Sequence, residues 1–124
     1  MMPNHVSNTV EVIGLQNHIN SFLKHMGEGF DFEKIVPMPP SEESNWLDWS
    51  VQNWGCKWNA YDVKCDLTCD VYGEVLNPTH HVKYEFLTAW QPPRPVVARL
   101  QKDWPDLEFY GGYLCEGYEF CGSF

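Results

Sequence analysis

Asp62-Val63-Lys64-Cys65-Asp66-Leu67-Thr68-Cys69-Asp70-Val71 alternates without a break between polar and apolar residues. A period of two over ten residues is that of a β-strand with one covered face and one wet face. Val63, Cys65, Leu67, Cys69 and Val71 are therefore assigned to the covered face. A turn region containing Gly73, Asn77 and Pro78 follows, and then a second alternating run in which Val82, Tyr84 and Phe86 oppose Lys83 and Glu85. Two alternating runs joined by turn-forming residues predict an antiparallel hairpin.

Outward from this hairpin, both flanks supply a strand and a helix. Val6 to Ile13 reads as a strand with Val10 and Val12 on one face and Thr9 and Glu11 on the other. Leu15, Ile19, Phe22, Leu23 and Met26 then recur at helical spacing, and Gly27 and Gly29 supply the stop. Beyond the hairpin, Gln91-Pro92-Pro93-Arg94-Pro95 opens a second helix whose buried side is Val96, Val97, Leu100 and Trp104, with Pro105 ending it. Leu107 to Leu114 is the last long strand, and Gly111-Gly112 within it marks a bulge or a close backbone approach. The aromatic tail to Phe124 is expected to pair further. This order predicts an α+β, ferredoxin-like (split βαβ) antiparallel sheet with two helices on one face.

The 124 residues suit one domain, 1–124, with residues 30–60 as an insertion after the first helix. Phe30 to Pro37 alternates and predicts an extended segment. The insertion then becomes dense in tryptophan, with Trp46, Trp49, Trp54 and Trp58 within 13 residues. Such rings serve equally well as anchors in a core or as contacts at a binding surface.

Composition narrows the function. Eight Lys and Arg against 17 Asp and Glu give a net charge of −9, which repels phosphate backbones and disfavours direct nucleic-acid binding. No apolar run approaches the roughly 20 residues of a membrane span, and the N-terminus shows no secretory pattern, so a cytoplasmic location is expected. Five cysteines cannot all pair within one chain, and they are read as mostly small buried hydrophobes. Cys65 and Cys69, four apart on a strand, lie roughly 13 Å apart, too far to share a tetrahedral zinc. No metal and no cofactor is expected.

Several stretches resemble one family: Pro3-Asn4-His5-Val6-Ser7-Asn8, Lys34-Ile35-Val36-Pro37-Met38-Pro39, Asn53-Trp54-Gly55-Cys56-Lys57-Trp58-Asn59-Ala60-Tyr61-Asp62 and Thr88-Ala89-Trp90-Gln91-Pro92-Pro93. Together they resemble the YubB-like family of phage, plasmid and bacterial proteins with a ferredoxin-like domain. The resemblance implies that fold and a mobile-element origin, and it carries no catalytic residues.

The leading expectation is a non-enzymatic binding protein of a phage or mobile element that engages a basic surface of a host protein, as an inhibitor of a host defence complex. Two surfaces are candidates. One is the wet sheet face, which the alternation assigns to Thr9, Glu11, Asp62, Lys64, Asp66, Thr68, Asp70, Lys83, Glu85, Glu108 and Tyr110, six carboxylates against two lysines. The other is the aromatic insertion with its polar neighbours: Trp54, Lys57, Trp58, Asn59 and Tyr61, joined by Trp90 and Arg94. An alternative is capture of a nucleotide-like ligand between tryptophan rings, with Lys57 or Arg94 meeting its charge. A further alternative is a small enzyme using a histidine or Cys56, whose thiolate the neighbouring Lys57 would favour.

Overall fold

A computed structural model describes residues 5–70, 78–115 and 121–124, including all their side chains except those of residues 68–70. Val71, the turn at Gly73 and Asn77, and the tail residues 116–120 lie outside the described residues. The elements run β1 (His5–Leu15), α1 (Gln16–Met26), α2 (Trp46–Asn53), β2 (Tyr61–Asp70), β3 (Thr79–Ala89), α3 (Arg94–Asp103), β4 (Glu108–Cys115) and β5 (Cys121–Ser123). They form an α+β structure with one five-stranded antiparallel sheet, ordered β2-β3-β1-β4-β5. β1 is paired along its length with β3, Val10 opposite Tyr84 and Val12 opposite Val82, and on its other side with β4. Its alternation follows from that position: Val6, Asn8, Val10 and Val12 are buried while Thr9 and Glu11 are partly exposed.

α1 buries Ile19, Phe22 and Met26. Leu15, expected on that stripe, instead ends β1 and is 42% exposed, because the helix begins only after it. Gly27 closes α1 with φ 72°, a conformation glycine adopts without strain. Lys34 Nζ then donates to Met26 O at 2.8 Å, placing a cation on the helix's last carbonyls. α3 buries Val96, Val97 and Leu100, as the sequence predicts, and stops where Trp104 N–H bonds Leu100 O.

The insertion departs most from expectation. Phe30 to Pro37 is not an extended segment; a 3₁₀ turn occupies Phe32–Lys34, because Asp31 caps the Glu33 N–H and Asn59 Oδ1 accepts the Phe32 N–H at 2.9 Å. The unexpected α2 carries no apolar stripe: Trp46, Leu47 and Val51 are exposed, and Ser50 is its buried residue. A helix without a covered stripe leaves no periodic signature.

One core joins the elements. Ile19, Phe22 and Met26 of α1, Val96, Val97 and Leu100 of α3, and Phe30, Phe32, Ile35, Trp54 and Cys56 of the insertion pack with Val10, Val12, Val82, Tyr84, Phe86 and Phe109 of the sheet. Phe30 stacks on Phe86 with centroids 4.6 Å apart and planes at 15°, and Phe32 meets Trp54 edge-on at 5.7 Å.

Two backbone features shape the sheet. A Cβ at Gly111 would lie 1.8 Å from Thr9 O, so the glycine permits the close approach of β4 to β1. In β2 the strict alternation is broken: Tyr61 pairs with Leu87 and Lys64 with Glu85, leaving Asp62 and Val63 in a bulge with Asp62 at φ 51°. The extra residue puts Tyr61, not Asp62, in register with Leu87.

Because the insertion is part of the core, Phe30→Ala should cost about 3–5 kcal/mol of stability. Urea unfolding should show one transition at a lower midpoint with an unchanged slope.

Candidate functional site

The sheet face that the core does not use is open among the described residues. Cross-strand pairing organises it in rows. Asp66 stands opposite Lys83, Lys83 opposite Glu11 and Glu11 opposite Tyr110, while Lys64 stands opposite Glu85 and Glu85 opposite Thr9. Lys83 Nζ lies 3.1 Å from Glu85 Oε1, and hydrogen bonding to Glu85, reinforced by its charge, raises the Lys83 pKa. Tyr110 donates to Glu108 Oε2 at 2.9 Å, which raises the phenol's pKa. Counting described side chains in register on this face, the carboxylates Glu11, Asp66, Glu85 and Glu108 outnumber Lys64 and Lys83, four to two. The Thr68 and Asp70 side chains lie outside the described residues, and Asp62 has moved into the bulge.

At the bulge the face hollows into a groove of about 670 Å³, lined by Asp62, Val63 and Lys64 of β2, Glu85 and Leu87 of the neighbouring β3, and Ser7 and Thr9 of β1 beyond it. Ser7, Leu87 and Leu114 belong to this face and were missed from the sequence. The signal was present, since Ser7 has the parity of Thr9 and Leu87 that of Glu85.

The remaining predicted residues do not form one site. Trp54 is a core residue, 4% exposed, with its indole N–H donating to Val36 O at 2.8 Å; it is unavailable to a partner. Asn59 is a structural pin: its Oδ1 accepts from Phe32 N–H and Ala60 N–H, and its Nδ2 donates to Asp31 at 2.7 Å. Tyr61 is bonded through its hydroxyl to His5 Nδ1.

Lys57, Trp58 and Trp90 do come together. The Lys57 ammonium sits 4.4 Å from the Trp58 centroid and 4.9 Å from that of Trp90, and both rings are more than one-third exposed. Trp90 holds φ 78°, rare for a bulky residue. Lys57 N–H to Ala89 O, Gln91 N–H to Ala89 O and the Thr88 hydroxyl to Gln91 O hold the chain on either side. Because Lys57 already lies over both rings, a flat ligand would have to displace it. Arg94 is engaged elsewhere, stacked 4.9 Å over Tyr113 and bonded to its hydroxyl.

The cysteines divide. Among the described cysteine side chains, Cys56 and Cys115 are buried whereas Cys65 and Cys121, expected to be buried as well, are exposed; that of Cys69 lies outside the described residues. β2 lies at the sheet edge, where its core-side positions run past the helices. Burial pushes the Cys56 thiol up to about 12, which removes the thiolate argument for that residue. Among the described residues, no group of three His, Cys, Asp or Glu side chains could hold a metal, and no helix is long and apolar enough to cross a membrane.

No protein-family model, curated protein or solved structure matches the chain.

The Cys56 environment predicts a pH dependence. The folded-state value lies above the ordinary 9.0, so the thiol's contribution to stability is complete below pH 9.0 and is lost as pH rises toward about 12. Urea unfolding from about pH 8 to about pH 11 should show a steeper alkaline loss for the wild type than for Cys56→Ala. Parallel profiles would contradict the assignment.

Proposed function

We propose that this chain is a non-enzymatic binding domain that receives a basic protein surface on its uncovered sheet face. The observation carrying this reading is that helices and insertion pack into one core while the other face keeps a groove and a surplus of carboxylates. Lys64 and Lys83 stand beside carboxylates of their own rows, so the unmatched charge is negative. A partner rich in Lys or Arg gains steering and register from such a field, whereas nucleic acid is repelled.

We read the strand order as the split βαβ, ferredoxin-like arrangement, with α1 and α3 on one side, the insertion beside them and β5 appended to β4. On the resemblance to the YubB-like family, the partner is a protein of the cell that hosts a phage or mobile element. A defence complex that normally holds nucleic acid on a basic surface is the proposed target, met in the cytoplasm.

A nuclease-treated host lysate passed over the immobilised chain tests the reading. A partner should be retained at about 0.1 M salt and released toward about 1 M, where the Debye length shrinks to about 3 Å. Retention should fall at least about tenfold with Glu11→Gln/Glu85→Gln/Glu108→Gln. Retention indifferent to both salt and these substitutions would refute the proposal.

A further inference from the structure

The strand order leaves β2 at an edge of the sheet. Its core-side row is poorly covered: Leu67 is in register with the fully buried Val82 yet is itself 55% exposed, and Cys65, in register with the fully buried Tyr84, is exposed. Val63 is half-buried against the core. An apolar row thus continues beyond the layer that would bury it. Edge strands are commonly protected from pairing by proline, by bulges or by inward-pointing charge. The stretch Val63 to Leu67 has no proline, its charges point to the other face, and the bulge lies at its start.

We infer that two copies of this chain join edge to edge through β2, antiparallel about a two-fold axis passing at Cys65. In that register Val63 faces the partner's Leu67, Lys64 faces the partner's Asp66 and Cys65 faces the partner's Cys65. The segment Val63-Lys64-Cys65-Asp66-Leu67 is self-complementary: apolar meets apolar on the core side, and ammonium meets carboxylate on the outer side. Pairing about any residue keeps the two faces apart, whereas pairing about a point between residues would set core-side positions against outer ones. Centring on Lys64 would oppose two lysines, and centring on Asp66 would oppose two carboxylates. Cys65 is the centre from which both neighbouring choices are penalised.

The rows of the outer face support the same register. Within one chain Glu11, Lys83 and Asp66 stand side by side, as do Thr9, Glu85 and Lys64. Joined at the proposed register, the first row continues as Glu11, Lys83, Asp66, the partner's Lys64, the partner's Glu85. Charge alternates at every step across the junction. Like charges directly opposite one another destabilise a ladder, and this register has none in that row.

Sedimentation equilibrium of the purified chain tests the inference. The expected mass is twice the 14.5 kDa of one chain. Lys64→Asp and Asp66→Lys, each shown by circular dichroism to remain folded, should each weaken association at least about tenfold, because each sets like charges opposite one another. The double variant Lys64→Asp/Asp66→Lys should restore it. A wild-type chain at single-chain mass up to about 100 μM would overturn the inference. So would association that both single reversals leave unchanged, or reversals that the double variant fails to rescue.

Oxidation with copper phenanthroline gives a second readout. It should trap a disulfide dimer that Cys65→Ser abolishes and Cys121→Ser does not, while Cys65→Ser still sediments as a dimer. Trapping that depends on Cys121 would assign the contact to the other edge of the sheet and overturn the inference.

Discussion

The stack of Phe30 on Phe86 is the contact on which the arrangement of the molecule depends. Gly27 ends α1, and within three residues the chain has placed a phenylalanine flat against β3. Once Phe30 is committed to that side of the sheet, Phe32, Ile35 and Trp54 follow it into the same core. Trp54 ties the later part of the insertion to its start at Val36, and Lys57 N–H ties its end to Ala89. Aromatic pairs of this kind contribute roughly 0.5–1.5 kcal/mol each beyond the area they bury. Their joint effect is to complete the layer around the helices. The opposite face of the sheet consequently stays open.

This placement explains why the tryptophans have different roles despite their proximity in sequence. Trp54 points into the core, where its indole N–H finds a backbone carbonyl. Trp49 packs against it edge-on, with centroids 5.2 Å apart. Trp58 lies where the chain leaves the core toward β2, and with Trp90 it receives the Lys57 ammonium while both residues stay more than one-third exposed. A cation held over two exposed rings contributes on the order of 1 kcal/mol per contact. That is comparable to the cost of roughly 1–3 kcal/mol for the Trp90 backbone conformation. The cluster is therefore adequately explained as a clasp between the insertion and the end of β3.

Residues with one face buried were legible in the sequence. Val10, Val12, Tyr84 and Phe86 alternate, and Val96, Val97 and Leu100 recur at helical spacing, because each element presents one side to the core. The hairpin and both predicted helices could be read on that basis, whereas the pairing of β5 with β4 was expected only from the aromatic tail, since all three β5 residues are exposed. What could not be read lacked periodicity. α2 buries a serine, half-buries Trp49 and exposes Trp46, Leu47 and Val51, so apolar character does not mark its covered side. The bulge at Asp62 and Val63 left the alternation of β2 looking perfect, because a register shift is a property of two strands and not of one. The candidate face was legible in its interior, at Thr9, Glu11, Lys83 and Glu85, and illegible at its margin, where Tyr61 and Asp62 exchange places. Exposure of Cys65 was hidden for a related reason: alternation reports which side a residue faces, but not how far the covering layer extends.

The two proposed surfaces, face and edge, are physically separable. In a sheet continuous through β2, Glu11 and its partner copy are five strand steps apart. At about 4.8 Å per step that is about 24 Å. The Debye length is about 10 Å at 0.1 M salt, so repulsion between the two faces is largely screened and does little to oppose joining. At the junction itself, the charges of Lys64 and Asp66 are compensated within their own rows. Edge pairing leaves Glu11 and Glu108 as free to meet a basic partner as they are in one chain. It also offers that partner two faces on one rigid sheet, which strengthens binding through effective concentration wherever the partner presents two basic surfaces at a matching distance.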